Sequence, residues 1–150
     1  MTSDSVSDRL AVSDLLDDYA RGVDTKDWAL VGSVFTDDAR LDYSAFGGPK
    51  GSADEVLGWI RDSVLTFPMT QHHVTNRRIE IDGDAASCSA ELFAPMGMAA
   101  GEGKMNILFT GGRYLDTFRR THDGWKISGR VCENAWLGMG PEVRGPSQPR

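Results

Sequence analysis

The chain is poor in the residues that mark specialised scaffolds. Among its 150 residues are two cysteines, Cys88 and Cys132, far apart and outside any Cys-x-x-Cys or His-rich context. Neither a zinc module nor a redox pair is indicated, and two buried free thiols are expected. Basic residues are also scarce, 16 Lys and Arg against 22 Asp and Glu. Arg77-Arg78 and Arg119-Arg120 are pairs, not patches, so the basic surface that phosphate contacts require is missing and nucleic acid is excluded as a partner. No apolar run approaches the roughly 20 residues that span a bilayer. The opening Met1-Thr2-Ser3-Asp4 has no basic start followed by an apolar stretch. No membrane partner and a cytoplasmic location are therefore expected. Of three histidines, His72 and His73 are adjacent on a strand and must diverge, with no third ligand at helpful spacing, so no metal is expected.

What is present is an ordinary globular composition, 40% hydrophobic and 25% charged, at a length that suits one core. Residues 1–137 read as one domain. Residues 138–150, with three prolines and three glycines, read as a tail. From Ser5 to Val23, Val12, Leu15, Leu16, Tyr19 and Val23 recur at helical steps, with Asp14, Asp17, Asp18 and Arg21 opposite. A polar corner, Asp24-Thr25-Lys26-Asp27, offers caps for a second helix, Trp28 to Phe35. Residues 40–46 alternate as a strand, and Ser52 with Glu55 forms a capping box for a third helix that Pro68 stops. Four long strands follow, near 70–81, 85–95, 105–121 and 125–137. Asp82-Gly83 and Asp123-Gly124 mark hairpins, and Met96 to Lys104 a longer turn. The expectation is an α+β cone in which three N-terminal helices pack on a strongly curved, mixed or antiparallel sheet around one small-molecule pocket.

Several stretches carry a resemblance. Tyr19-Ala20-Arg21-Gly22-Val23-Asp24-Thr25-Lys26-Asp27-Trp28, Phe35 to Tyr43, Thr70-Gln71-His72-His73-Val74-Thr75-Asn76, Gly112-Arg113-Tyr114 and Asp123-Gly124-Trp125-Lys126-Ile127 resemble the SnoaL-like branch of the nuclear transport factor 2-like superfamily. Within it the pattern is similar to the scytalone dehydratases and bile acid dehydratases, which pair a corner Asp with a sheet His. The resemblance implies catalytic roles for Asp24, His72, Tyr19 and Tyr43. The second sheet histidine of scytalone dehydratases would fall near Met96, and the carboxylate base of ketosteroid isomerases would fall at Tyr43.

Dehydration of a hydroxy ketone needs a base for the carbon acid, donors to the enolate oxygen and a proton for the leaving hydroxyl. A His-Asp pair with nearby phenols supplies all three without a cofactor. Read from the residues themselves, Asp24 could equally be an N-cap, Tyr19 plain core and Tyr43 strand packing. Either His72 or His73 could face the hollow. Phe46, Trp59, Phe93, Met96, Met98, Phe109, Trp136 and Leu137 are candidates for the wall, with His73 beside the substrate. Arg113 and Arg130 are candidates to hold a substrate anion. The expected function is a cofactor-independent dehydratase of a hydrophobic cyclic, polyketide-like or steroid-like hydroxy ketone. An isomerase, a polyketide cyclase and a non-catalytic binding module are the alternatives. A homodimer or homotrimer is expected, because the outer face of such a sheet needs cover.

Overall fold

The first helix carries its apolar residues on one stripe, and that stripe is what the sheet covers. The computed structural model describes the backbone of residues 3–144 and the side chains of residues 5–140. Helix α1 spans Ser3–Thr25 and buries Val12, Leu16, Tyr19 and Val23 completely or nearly so. Burial of each such aliphatic side chain contributes about 1.5–3 kcal/mol. Arg77 on the sheet fastens the helix by bonding the Ser13 carbonyl at 3.0 Å and the Asp17 carboxylate. Nearer its start, Trp125 Nε1 donates to Asp8 at 2.9 Å.

Helix α2 (Trp28–Ser33) is capped by Asp27, whose carboxylate accepts from the Leu30 amide at 3.0 Å. It stops short of Phe35 because that residue joins the sheet opposite Ile127. The two helices approach closely over Gly22, where a Cβ would stand 2.7 Å from Val31. Strand β1 (Phe35–Asp42) begins and ends earlier than its alternation suggests. It ends because Asp42 accepts from the Ser44 amide and hydroxyl, closing an Asx turn that carries Tyr43 out of the strand. After β2 (Lys50–Ser52), Ser52 caps α3 (Ala53–Val64) through the Glu55 amide. Val56, Ile60 and Val64 form its buried stripe.

Strands β3 (Met69–Thr70), β4 (His73–Asp82), β5 (Ala85–Ala99), β6 (Lys104–Thr121) and β7 (Gly124–Arg144) complete a mixed sheet. The order is β2-β1-β7-β6-β5-β3, with β4 also on β5 and β1 parallel to β7. Three helices against this curved sheet give the expected α+β cone. Two further boundaries differ from expectation. Met96 to Ala99 continue β5 opposite β6, so the turn is confined to residues 100–103. The expected tail from Gly138 is instead the end of β7 as far as Arg144, paired with the start of β6; residues 145–150 lie outside the described residues. Backbone pairing with a neighbouring strand outweighs the helix- and strand-breaking tendency of the glycines there. Among the described residues no helix is long and apolar enough to cross a membrane.

Candidate active site

The candidate site starts at the break between β3 and β4. Residues 70 and 73 keep one register with β5, yet the His72 amide leaves the ladder and donates to Asp24 Oδ2 at 2.8 Å. The His72 ring follows, with Nδ1 2.6 Å from Asp24 Oδ1. Thr70 Oγ1 donates to the same oxygen at 3.0 Å. Because Asp27 caps α2, Asp24 is left for this role, and the carboxylate is held by three donors from the sheet. Burial pushes the Asp24 carboxyl up, but the His72 ring, the His72 amide and the Thr70 hydroxyl outweigh it and hold the group below its ordinary value. Among the described residues no partner takes His72 Nε2.

A second cluster lies under the first helix. Arg130 is 1% exposed and meets Asp116 in a fork, Nε to Oδ1 at 2.6 Å and Nη2 to Oδ2 at 2.9 Å. Its third nitrogen, Nη1, donates to the Tyr43 hydroxyl at 3.2 Å, and that hydroxyl lies 2.9 Å from Tyr19 Oη. The guanidinium is also stacked between rings, 4.3 Å from the Tyr19 centroid and 3.9 Å from that of Tyr114. Burial raises the Tyr19 hydroxyl above its ordinary value and those of Tyr43 and Tyr114 well above it, against the pull of Arg130. All three phenols are therefore neutral donors. For Arg130, burial opposes the charge, but Asp116 prevails and keeps the guanidinium ionised.

Both clusters border one cavity of about 160 Å³. His72, Tyr19, Tyr43 and Tyr114 line it together with apolar side chains that include Phe46, Trp59, Met96 and Leu137. No Lys, Arg, Asp or Glu is among the lining residues. Asp24 stands behind His72. Thr110 and Tyr114 join the lining beyond the residues expected from sequence, although the alternation of Tyr114, Asp116 and Phe118 as one inward face is a signal for Tyr114.

Three expected substrate contacts lie elsewhere. His73, Phe109 and Arg113 are on the convex face. His73 sits opposite Phe93 in the ladder, and Phe109 stacks on Phe93 with ring centroids 6.0 Å apart. Arg113 is tied to Glu91 at 2.8 Å and to Glu133 at 3.4 Å. The reason is alternation: His72 and Val74 face inward, so His73 faces outward. Trp136 and Phe93, two of the wall candidates, belong to the same outer stack, with Trp136 lying over Gly111, where a Cβ would be 2.4 Å from the ring. Arg130 is inside because Ser128 is an extra residue between the pairs Phe118–Ile127 and Thr117–Gly129, which changes the parity of the inward face. With Asp116 occupying its fork, Arg130 is not placed to seize a substrate carboxylate. Cys88 and Cys132 are free and buried, and burial pushes their thiols up to about 11 and about 12. Among the described residues no three His, Cys, Asp or Glu side chains converge as metal ligands would.

The SnoaL-like domain model matches residues 4–131. The chain belongs to the SnoaL-like family. An uncharacterized protein of Mycobacterium tuberculosis is 39% identical over 126 residues, which is 84% of each chain. Hexachlorocyclohexane dehydrochlorinase 1 of Sphingobium indicum is 29% identical over 132 residues, 83% of this SnoaL-like chain and 80% of its own. Two solved structures from Novosphingobium aromaticivorans share the fold. A putative aromatic ring hydroxylase is 28% identical with a TM-score of 0.78, covering 90% of this chain and 94% of its own. A putative scytalone dehydratase has a TM-score of 0.72 at 20% identity, covering 99% and 94%. The SnoaL-like cone is thus that of the nuclear transport factor 2-like superfamily.

Proposed function

We propose that the chain is a cofactor-independent lyase that removes water from an uncharged, hydrophobic cyclic hydroxy ketone. His72 is its acid/base group, Asp24 orients that ring, and Tyr43 and Tyr19 donate to the carbonyl oxygen. The observation that carries the reading is the 2.6 Å Asp24–His72 contact on the wall of a cavity whose phenols are tied to a buried guanidinium. With Nδ1–H donating to Asp24, the Nε2 lone pair takes the proton from the carbon beside the carbonyl, and the electron pair moves onto the carbonyl oxygen. Arg130 donates to Tyr43, so the Tyr43 hydrogen is turned toward Tyr19 or the substrate. One such donor to a developing oxyanion contributes about 10²–10³ in kcat. As the carbon–carbon double bond forms, the β carbon–oxygen bond breaks. The imidazolium then returns its proton to the departing oxygen, releasing one water and restoring the pair.

The names of the dehydrochlorinase relative and the putative dehydratase neighbour both denote elimination, which supports this class of step. The volume narrows the substrate. An apolar cavity of about 150 Å³ accommodates benzene, so about 160 Å³ favours one six-membered ring with short substituents over a steroid. The absence of charged lining residues favours a neutral molecule. A panel of one-ring β-hydroxy ketones, read by mass spectrometry, tests the reading: a product lighter by one water is expected, and His72→Ala should bring turnover to background in a folded protein. Undiminished turnover in that variant would dismiss it, and a product of unchanged mass would indicate an isomerase or cyclase instead.

We further propose that another copy of the chain covers the outer aromatic stack in a homodimer or homotrimer. Trp136 there is 50% exposed. Light scattering should show the mass of Trp136→Glu falling to that of one chain, and a wild-type protein already at that mass would refute the assembly.

A further inference from the structure

The corner that presents Asp24 contains an unexplained lysine. Lys26 adopts φ +60, in the left-handed position after a helix where glycine or asparagine is preferred. Of the other non-glycine residues with positive φ, Asn76 and Asn134 lie at interruptions of strand register and Glu102 in a tight turn. A side chain kept at a strained backbone position invites the question of what it does there. Its ammonium is half-buried and donates to Thr70 Oγ1 at 3.0 Å, with a longer bond to the Val23 carbonyl at 3.4 Å.

An ammonium group has donors only. Thr70 Oγ1 must accept from it, so its own hydrogen is directed to its other partner, Asp24 Oδ1 at 3.0 Å. The order of donors is therefore fixed from end to end: Lys26 Nζ to Thr70 Oγ1, Thr70 Oγ1 to Asp24 Oδ1, and His72 Nδ1–H to that same oxygen. Thr70 is 6% exposed and anchored in β3 opposite Met96, so the chain is built on rigid backbone. We propose that Lys26 and Thr70 are positioning residues that hold Asp24 in the orientation that fixes the His72 tautomer, leaving Nε2 bare toward the cavity. The consequence for turnover rests on the elimination proposed above, but the tautomer itself does not.

The charged and titratable groups around the pair are few. Asp24 and Tyr19 come from α1 and Lys26 from the corner. Tyr43 and Tyr114 stand across the cavity wall, with Arg130 beneath them neutralised by Asp116. His73 points to the other face. Asp24 Oδ1 is shared by the Thr70 hydroxyl and the His72 ring.

The test is ¹⁵N NMR of the histidine ring nitrogens in the intact chain above neutral pH, with His72 assigned by its loss in His72→Gln. Wild type and Thr70→Ser are expected to show Nδ1 protonated and Nε2 bare. In the isosteric Thr70→Val the Nδ1–H to Nε2–H ratio should fall by about tenfold, the change expected for one lost hydrogen bond to a charged group. Lys26→Met should move it the same way by less. In both variants the Asp24 carboxyl carbon should titrate at a higher pH. An unchanged ratio in either folded variant overturns the proposal; if one fails to fold, the other decides. Shifted tautomers in a protein that eliminates no water would retain this proposal and remove the function, whereas water loss with unshifted tautomers would do the reverse.

Discussion

Arg113 on β6 and Arg130 on β7 each stand among carboxylates, yet they occupy opposite faces of one sheet. Arg113 keeps its water on the convex side, where its pairs with Glu91 and Glu133 are all around two-fifths exposed. Exposed pairs of this kind contribute little, because solvent screens them and ordering two long side chains offsets the gain. Arg130 has lost its water altogether and must be compensated by the Asp116 fork, the Tyr43 hydroxyl and two ring faces. Apolar side chains of similar volume would stabilise a core as well or better. A buried guanidinium beneath three phenols is thus better explained by what it does to the phenols than by what it adds to the fold.

The two arginines differ most in what the loss of a partner carboxylate does to them. Asp116→Ala leaves the inner guanidinium buried and unpaired, and urea unfolding should show a loss of about 3–5 kcal/mol. A loss below about 1 kcal/mol would mean that water reaches Arg130. Next, Tyr43→Phe should lower kcat by about 10²–10³ while the urea midpoint moves little, separating the cluster's chemical role from its packing. The Asp24 pair gives a smaller, pH-dependent effect. The folded Asp24 value lies below the ordinary 3.8, so its contribution is fully present above that pH and is lost as pH falls through the lower folded value. The stability difference between wild type and Asp24→Asn should accordingly be constant above about pH 5 and shrink below pH 4. Arg113→Gln should do least, leaving both the thermal midpoint and turnover near wild type; a clear loss of turnover would show that the convex face feeds the cavity.

Much of this arrangement is legible in the sequence. The α1 stripe, the capping box at Ser52 and the hairpin tips follow from spacing and turn chemistry. For His72 against His73 the residues alone leave the choice open and the resemblance selects His72; the unshifted register from Thr70 to Thr75 is what sets it inward with Val74. Asp24 becomes available because Asp27 can do the capping. The two arginines are different: alternation counted from Trp125 and Ile127 would put Arg130 outside, and only the extra residue Ser128 reverses it. Asn134, at φ +52, does the same further along and sets Leu137 inside and Trp136 outside. A bulge is a choice made by two strands together, so one strand's residues do not announce it. Tyr43 escapes strand alternation for another reason, since the Asp42 turn aims it.

Placing Tyr19, Tyr43 and Tyr114 in one cluster uses every tyrosine the chain has. Ultraviolet difference bands or ring resonances of this side-chain type consequently arise from the cavity and nowhere else. The protein carries its own background-free reporter of occupancy, readable without a label and before any substrate is known.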